Sequence, residues 1–296
     1  MRTSPLRRLL DFALILSGLT LFSAEPNAHA APAGQLLQAQ LGRYGASVTA
    51  LTVTRHSVTA QKPHTPDAPV TASSACPGDM VLVEGSYCTE VRHECKKWLD
   101  DPKLPYARCQ EYEPSARCVG QRVPMHYCID RTEYTKPGEK LPLNWQSFSS
   151  GAKVCKSLGK RLCTESEWNF ACEGEEMRPY PYGWSREPKC NQDRDDLYEN
   201  NPRKQILKDN RMSAEELAEC VSPFGVVNMA GNLDEPVLRE NARFNPPYRN
   251  GLKGGWWMAA RNRCRPATTK HDDYYNDIQV GVRCCAEAPG TAAPTG

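Results

Sequence analysis

Cysteine is the residue with most chemistry to offer in this chain. All fourteen cysteines lie between Cys76 and Cys285. Thiols can hold a soft metal or pair into disulfides, and their spacing separates the two uses. A structural zinc site brings thiolates onto one ion through a close pair such as C-x-x-C. No such pair occurs, and the only adjacent cysteines are Cys284 and Cys285. An even, well-spread set reads instead as a disulfide framework. His93, His126 and His271 stand alone, with no H-x-H or H-x-x-x-H, and isolated histidines are mostly surface or hydrogen-bonded residues. The remaining group is aromatic: Trp256-Trp257, then Tyr274 and Tyr275, among Arg261, Arg263 and Asp272. Aromatic faces beside such polar groups suit a peptide or a sugar ring. Two adjacent tryptophans in a disulfide-rich domain are also good core residues, and both readings stay open.

The elements that must position these groups are few. Ser147 to Gly159 and Thr164 to Cys172 read as helices. The second opens with Thr164-x-x-Glu167, a capping box that satisfies the first free amides, and Glu165 and Glu167 lie favourably at the positive end of the helix dipole. Met80-Val81-Leu82-Val83 and Tyr127-Cys128-Ile129 are short buried-strand candidates. Elsewhere Gly, Pro and Asn interrupt every few residues, so residues 76–286 form one loop-dominated domain in which crosslinks compensate for sparse regular structure. Residues 287–296 read as a disordered tail.

Before that domain the chain has a different character. Arg2, Arg7 and Arg8 precede an apolar run from Leu9 to Ala24, and Ala28-His29-Ala30 supplies a small-x-small cleavage site. This is a signal peptide over residues 1–30, cleaved near Ala30, and it implies a secreted or periplasmic protein. Asp11 interrupts the run too early for a spanning helix, so no membrane span is expected after cleavage. Residues 31–75, rich in Ala, Thr and Pro, read as a flexible spacer. From residue 76 onward, 31 Lys+Arg stand against 32 Asp+Glu, which gives no basic excess for nucleic acid.

Gly159 to Trp168 reads Gly-Lys-Arg-Leu-Cys-Thr-Glu-Ser-Glu-Trp and resembles the G-K-R-L-P-T-E-A-E-W signature of the formylglycine-generating enzyme (sulfatase-modifying factor) family. Further blocks follow the family's order: Met80 to Val83, Ile129 to Thr135, Tyr180 to Gly183, Phe224 to Asn232, Lys253 to Trp257, and Gly281 to Cys284. The resemblance implies an irregular, loop-rich α+β fold related to C-type lectin domains and stapled by disulfides. It also implies that Cys155 pairs with Cys284 and Cys172 with Cys264. Cys190 with Cys220 is a third expected pair, closing the loop that carries Asp193 to Glu216.

The departures from the family bear on function. Its oxidases follow Lys-Gly-Gly with a serine and two copper-binding cysteines. Here Trp256 stands at the serine and Ala259 at the first cysteine. The segment before Arg263-Cys264 is shortened, or, counted without a gap, Cys264 falls on the second copper position. Either way one thiolate is missing, and copper(I) binds best to paired thiolates, so no copper is expected. An iron branch of the superfamily uses an H-x-x-x-H-x-E set that this sequence lacks. No iron is expected unless the three histidines converge in space. Gly231 to Glu235 resembles a G-N-x-W-E segment that binds calcium in several members. Carried over, Asn228 and Glu235 offer side-chain oxygens and Gly231 and Leu233 carbonyls, as a hard ion requires. The alternative is a turn whose Asn and Gly accept positive φ. Asn191 to Asp196 reads as a solvated acidic loop.

The resemblance thus implies an exported domain that kept the family frame and lost its reactive centre. The leading expectation is a non-catalytic binding or scaffold module for an exported peptide or glycan, with Trp256, Trp257, Arg261 and Arg283 at the ligand. The alternatives are an oxidoreductase of the superfamily using a different site and a purely structural envelope component. Fold analogy alone names no ligand.

Overall fold

The computed structural model describes residues 76–200, 203–240 and 247–290. The expected signal peptide and spacer lie outside the described residues. The apolar run at Met80 opens strand β1 (Met80–Cys88). The chain then leaves the main sheet for a small extension. In it, β2 (Val91–Arg92), β3 (Cys95–Trp98), β4 (Cys109–Tyr112) and β5 (Arg117–Cys118) form two ribbons, β2 with β5 and β3 with β4. Such short ribbons bury too little to stand alone. Two disulfides, Cys88–Cys118 and Cys95–Cys109, clamp them. The chain returns as β6 (Arg122–Asp130), antiparallel to β1 from Met80 opposite Asp130 to Cys88 opposite Arg122.

Helix α1 (Phe148–Ser157) starts at Ser147, whose hydroxyl accepts from Ser150 N while Ser150 reciprocates. Phe148, Gly151 and Cys155 form its buried face, at the i, i+3, i+7 spacing of a helix stripe. Strand β7 (Arg161–Leu162) leads into α2 (Glu165–Glu173). The capping box is present there: Glu167 N donates to Thr164 Oγ1 at 3.2 Å and Thr164 N to Glu167 Oε2 at 2.8 Å. Every residue of α2 from Glu167 to Glu173 is buried, so this helix is the centre of the core rather than its lid. Trp168 and Phe170 pack there with Val83, Tyr127, Ile129, Met229 and Val237, each such burial contributing about 1.5–3 kcal/mol.

The C-terminal part adds β8 (Glu235–Leu238), β9 (Asn250–Lys253), β10 (Ala267–Thr268) and β11 (Cys284–Glu287). The main antiparallel sheet runs β1-β6-β11-β7 and a second sheet runs β10-β9-β8. Everything else described is turn and loop, an irregular α+β fold. Seven disulfides hold it: besides the two in the extension, Cys76–Cys128, Cys155–Cys284, Cys163–Cys285, Cys172–Cys264 and Cys190–Cys220. Cys284 and Cys285 point to opposite faces of β11, as successive strand residues must, so one reaches α1 and the other the start of the signature segment.

One boundary moves. The tail expected from residue 287 begins inside β11, and Ala288 is buried against Cys76, Met80 and Cys128. Pairing with β6 carries the ordered chain past residue 286: Glu287 lies opposite Tyr127.

Candidate functional site

Between the two sheets sits a buried polar cluster. Arg283, from the residue before β11, meets Glu235 at the start of β8. Its Nη2 lies 2.7 Å from Oε1, and its Nε 3.0 and 2.9 Å from the two carboxylate oxygens. Trp168 Nε1 on α2 donates to Oε2 at 2.6 Å. Two further guanidinium N–H groups reach Asp130 O at 3.0 Å and Val227 O at 2.8 Å. Three N–H donors, Arg283 Nε and Nη2 and Trp168 Nε1, thus engage both oxygens of the Glu235 carboxylate.

Glu133 lies beside this pair. Its Oε2 accepts from Asn232 Nδ2 at 2.7 Å and Asn228 Nδ2 at 3.2 Å. Its Oε1 and Asn228 Oδ1 are buried without a partner. Burial, and then the charge of Glu235, push the Glu133 carboxyl well above the usual range. A proton there would make Oε1 a donor. Asn228 and Asn232 both adopt positive φ, 62° and 59°. At Gly231 (φ 77°) an added Cβ would meet Asn191 O at 2.2 Å, so the loop closes only with glycine.

The expected calcium ligands therefore do converge on one loop, but they do not fit the ion. Both oxygens of Glu235 are engaged by Arg283 and Trp168, and its negative charge is paired with the guanidinium. Asn228 Oδ1 is unpartnered, as a ligand would be, yet the charge that calcium requires is committed elsewhere. The Asn-Gly loop acts as the turn that carries Glu133's amide donors.

Two of the four expected ligand contacts are also corrected. Trp257 is fully buried, and Arg283 is 1% exposed; neither can touch a ligand. Trp256 is half-buried, so of the pair only it is open to a ligand. Its ring meets Trp257 edge-on at 5.3 Å.

Trp256 and Arg261 do share a cleft of about 140 Å³, with Asp234, Gly255, Ala260 and Thr268 among its walls. The turn that presents Trp256 needs both Gly254 and Gly255, with φ of 81° and 75°, and a Cβ on Gly255 would meet Asn262 Nδ2 at 2.7 Å. Buried Asn262 ties the loop shut, donating to Trp256 O at 2.5 Å and accepting from Ala260 N at 3.0 Å. The Cys172–Cys264 bridge then fixes this loop to α2. Ala259 is exposed on the same loop. Arg261 lies over the Tyr106 ring at 4.6 Å, so the extension forms part of the cleft's surroundings. Asp234 is 7% exposed. Burial first, then the Glu235 charge, raise its carboxyl to about 7, against a hydrogen bond from Gly255 N. A group at that value takes or gives a proton near neutrality.

The histidines have unrelated partners. His93 Nε2 lies 2.7 Å from Met177 O, His126 Nδ1 3.7 Å from Glu84, and the His271 ring stacks on Tyr275 at 3.6 Å. Sequence reasoning missed Glu133, Trp168 and Asn262, whose importance lies in contacts made far along the chain.

The model of the sulfatase-modifying factor enzyme 1-like domain matches residues 106–288, more than half of the chain. The chain belongs to this family. The match spans the signature helix α2, the Glu235–Arg283 cluster and the cleft at Trp256, while β1 and the start of the extension lie before it. Similar solved structures are CarF (14% identity, TM-score 0.45, covering 71% of this chain and 98% of that one) and PvdO from Pseudomonas aeruginosa (14%, 0.41, 72% and 97%). Treponema denticola variable protein 1 is also similar (14%, 0.39, 69% and 99%). Values this low transfer no activity. A comparison with curated proteins gives no match.

Proposed function

We propose that this chain is an exported, non-catalytic member of the sulfatase-modifying factor family that binds a peptide or glycan at the Trp256–Arg261 cleft. One observation carries the reading: all fourteen cysteines are joined in disulfides, so no thiolate is left to hold copper(I). Cys264, the one candidate for a second copper position, is bonded to Cys172. Ala259, at the first position, has no ligand atom. Seven disulfides also suit an oxidising compartment, in keeping with the leader expected at residues 1–30. No helix among the described residues is long and apolar enough to cross a membrane.

The cleft supports recognition by its chemistry. Trp256 offers an apolar face, Arg261 a charge, and Thr268 and Asp234 hydrogen-bonding groups. Asp234 also favours the second reading, an enzyme of the superfamily using a different site, because a carboxyl titrating near neutrality can shuttle protons. It supplies no electrons, and so by itself supports proton transfer rather than oxidation.

The test is binding of the full chain to peptide and glycan arrays, repeated with Trp256→Ala and Arg261→Ala. A ligand that binds at the cleft loses about tenfold or more in affinity with either substitution, at an unchanged melting temperature. Unaltered binding in both variants would remove the cleft as the recognition site.

A further inference from the structure

A larger groove, of about 520 Å³, lies between the extension and the segment Arg263–Arg265. Its walls include Arg92, His93, Trp98, Tyr112, Val119 and Arg263. The three arginines along it are not equivalent. Arg265 is consumed by the protein: its Nε reaches Glu173 Oε2 at 2.7 Å and its Nη2 reaches Cys88 O at 2.6 Å. Arg263 lies over the Tyr112 ring, 5.7 Å from its centroid, and among the described residues no carboxylate pairs with it. The exposed Arg92 has no carboxylate partner there either. Glu90 is the one acidic residue in the wall, so the exposed Arg92 and the half-buried Arg263 have little in the groove to offset their charge.

The same groove has an apolar rim. Trp98 is 44% exposed and Val119 43% exposed, on opposite ribbons of an extension that two disulfides hold rigid. Large apolar side chains left open beside unpaired arginines mark a recognition surface, since aromatic and Arg residues are the groups enriched at binding hot spots. Rigid ribbons also lower the ordering cost of binding. Burial holds the His93 imidazole down at about 4, against its bond to Met177 O, and the charges of Arg263 and Arg265 push it the same way. The positive field in the groove is thus felt by a group already in its wall.

We propose that this groove binds an acidic peptide segment of a separate partner, with carboxylates on Arg92 and Arg263 and apolar side chains on Trp98 and Val119. Carboxylate is the anion a pair of guanidiniums holds through charge-assisted hydrogen bonds. Two arginines are too few for a polyanionic chain, while Val119 and Ala107 offer the aliphatic contact that a peptide side chain uses. The chain's own residues 31–75 are the wrong occupant, carrying three Lys+Arg against one Asp. This site is distinct from the Trp256–Arg261 cleft, and its ligand need not be the same.

The experiment titrates the full chain into a fluorescently labelled peptide of alternating Glu and Leu. Controls are the alternating Gln and Leu peptide and a heparin-derived oligosaccharide. The acidic peptide binds, the Gln peptide binds at least about tenfold more weakly, and Arg92→Gln, Arg263→Gln and Trp98→Ala each weaken binding by about tenfold. Arg92 is exposed and needed by nothing else, so Arg92→Gln decides the matter if Arg263→Gln disturbs the fold. In NMR titrations of the wild-type chain the His93 pKa rises when the acidic peptide is bound, because its carboxylates offset the arginines. Equal binding of the two peptides, or an affinity unchanged in Arg92→Gln, would overturn the proposal. So would tighter binding of the oligosaccharide that the same substitution removes, which would give the groove to a glycan.

Discussion

Glu235 and Arg283 form an ion pair in the interior, with side chains 1% and 0% exposed and a closest approach of 2.7 Å. The pair joins β8 to the residue before β11, and the guanidinium also holds carbonyls at Asp130 and Val227. It is therefore a four-way junction of the chain, and its disruption leaves a buried charge without a partner. Glu235→Ala or Arg283→Ala should each cost about 3–5 kcal/mol, whereas replacing both with apolar residues of similar volume should cost far less. Urea unfolding measures this. A single substitution costing under about 1 kcal/mol would mean that the junction is not what holds these segments.

Calcium should leave the melting temperature of the full chain unchanged. A ligand that binds only the native state raises stability by about 2.7 kcal/mol at a hundredfold excess over Kd, so an occupied site would be plain in a melting curve. Both oxygens of Glu235 are engaged by nitrogen donors, and identical curves with calcium and with chelator are expected. A rise with calcium that is lost in Glu133→Gln would show that Glu133 and Asn228 hold the ion in place of Glu235.

Glu133 makes stability depend on pH in a definite direction. Its carboxyl is raised in the folded chain, so above the ordinary carboxylate range the folded state binds more protons than the unfolded state. Its contribution to stability then falls as pH rises toward the folded value. Glu133→Gln keeps the shape and cannot ionise. The variant should lose part of the decline in stability between mildly acidic and mildly alkaline pH. An unchanged slope would place the proton elsewhere.

What was legible in the sequence was local or carried by motif. The Thr164–Glu167 capping box depends on residues three apart, and it defines α2. Met80 to Val83 and Tyr127 to Ile129 carry apolar runs strong enough to locate β1 and β6. The bridges Cys155–Cys284 and Cys172–Cys264 span 129 and 92 residues, and only the family resemblance connects such distant positions. The partnership of Glu235 with Arg283 was not legible, because no spacing rule relates charges 48 residues apart. Trp256-Trp257 could not show which ring faces inward until the Gly254-Gly255 turn set the direction. Arg283 read as a ligand contact because it belongs to the frame that the resemblance places around the family's groove, although it stands between the buried residues Val282 and Cys284. The groove on the extension depends on ribbons of two to four residues, too short for periodicity to reveal.

The loss of the family's reactive centre is tested most directly by oxidation of a peptide thiol. The purified full chain is incubated with copper(I), oxygen and a Cys-x-Pro-x-Arg peptide, and the peptide mass is followed with time. With every cysteine in a disulfide and alanine at position 259, the peptide should be recovered without formylglycine, at the same level as copper alone. Copper-dependent conversion to formylglycine through repeated turnovers would contradict the binding-module account.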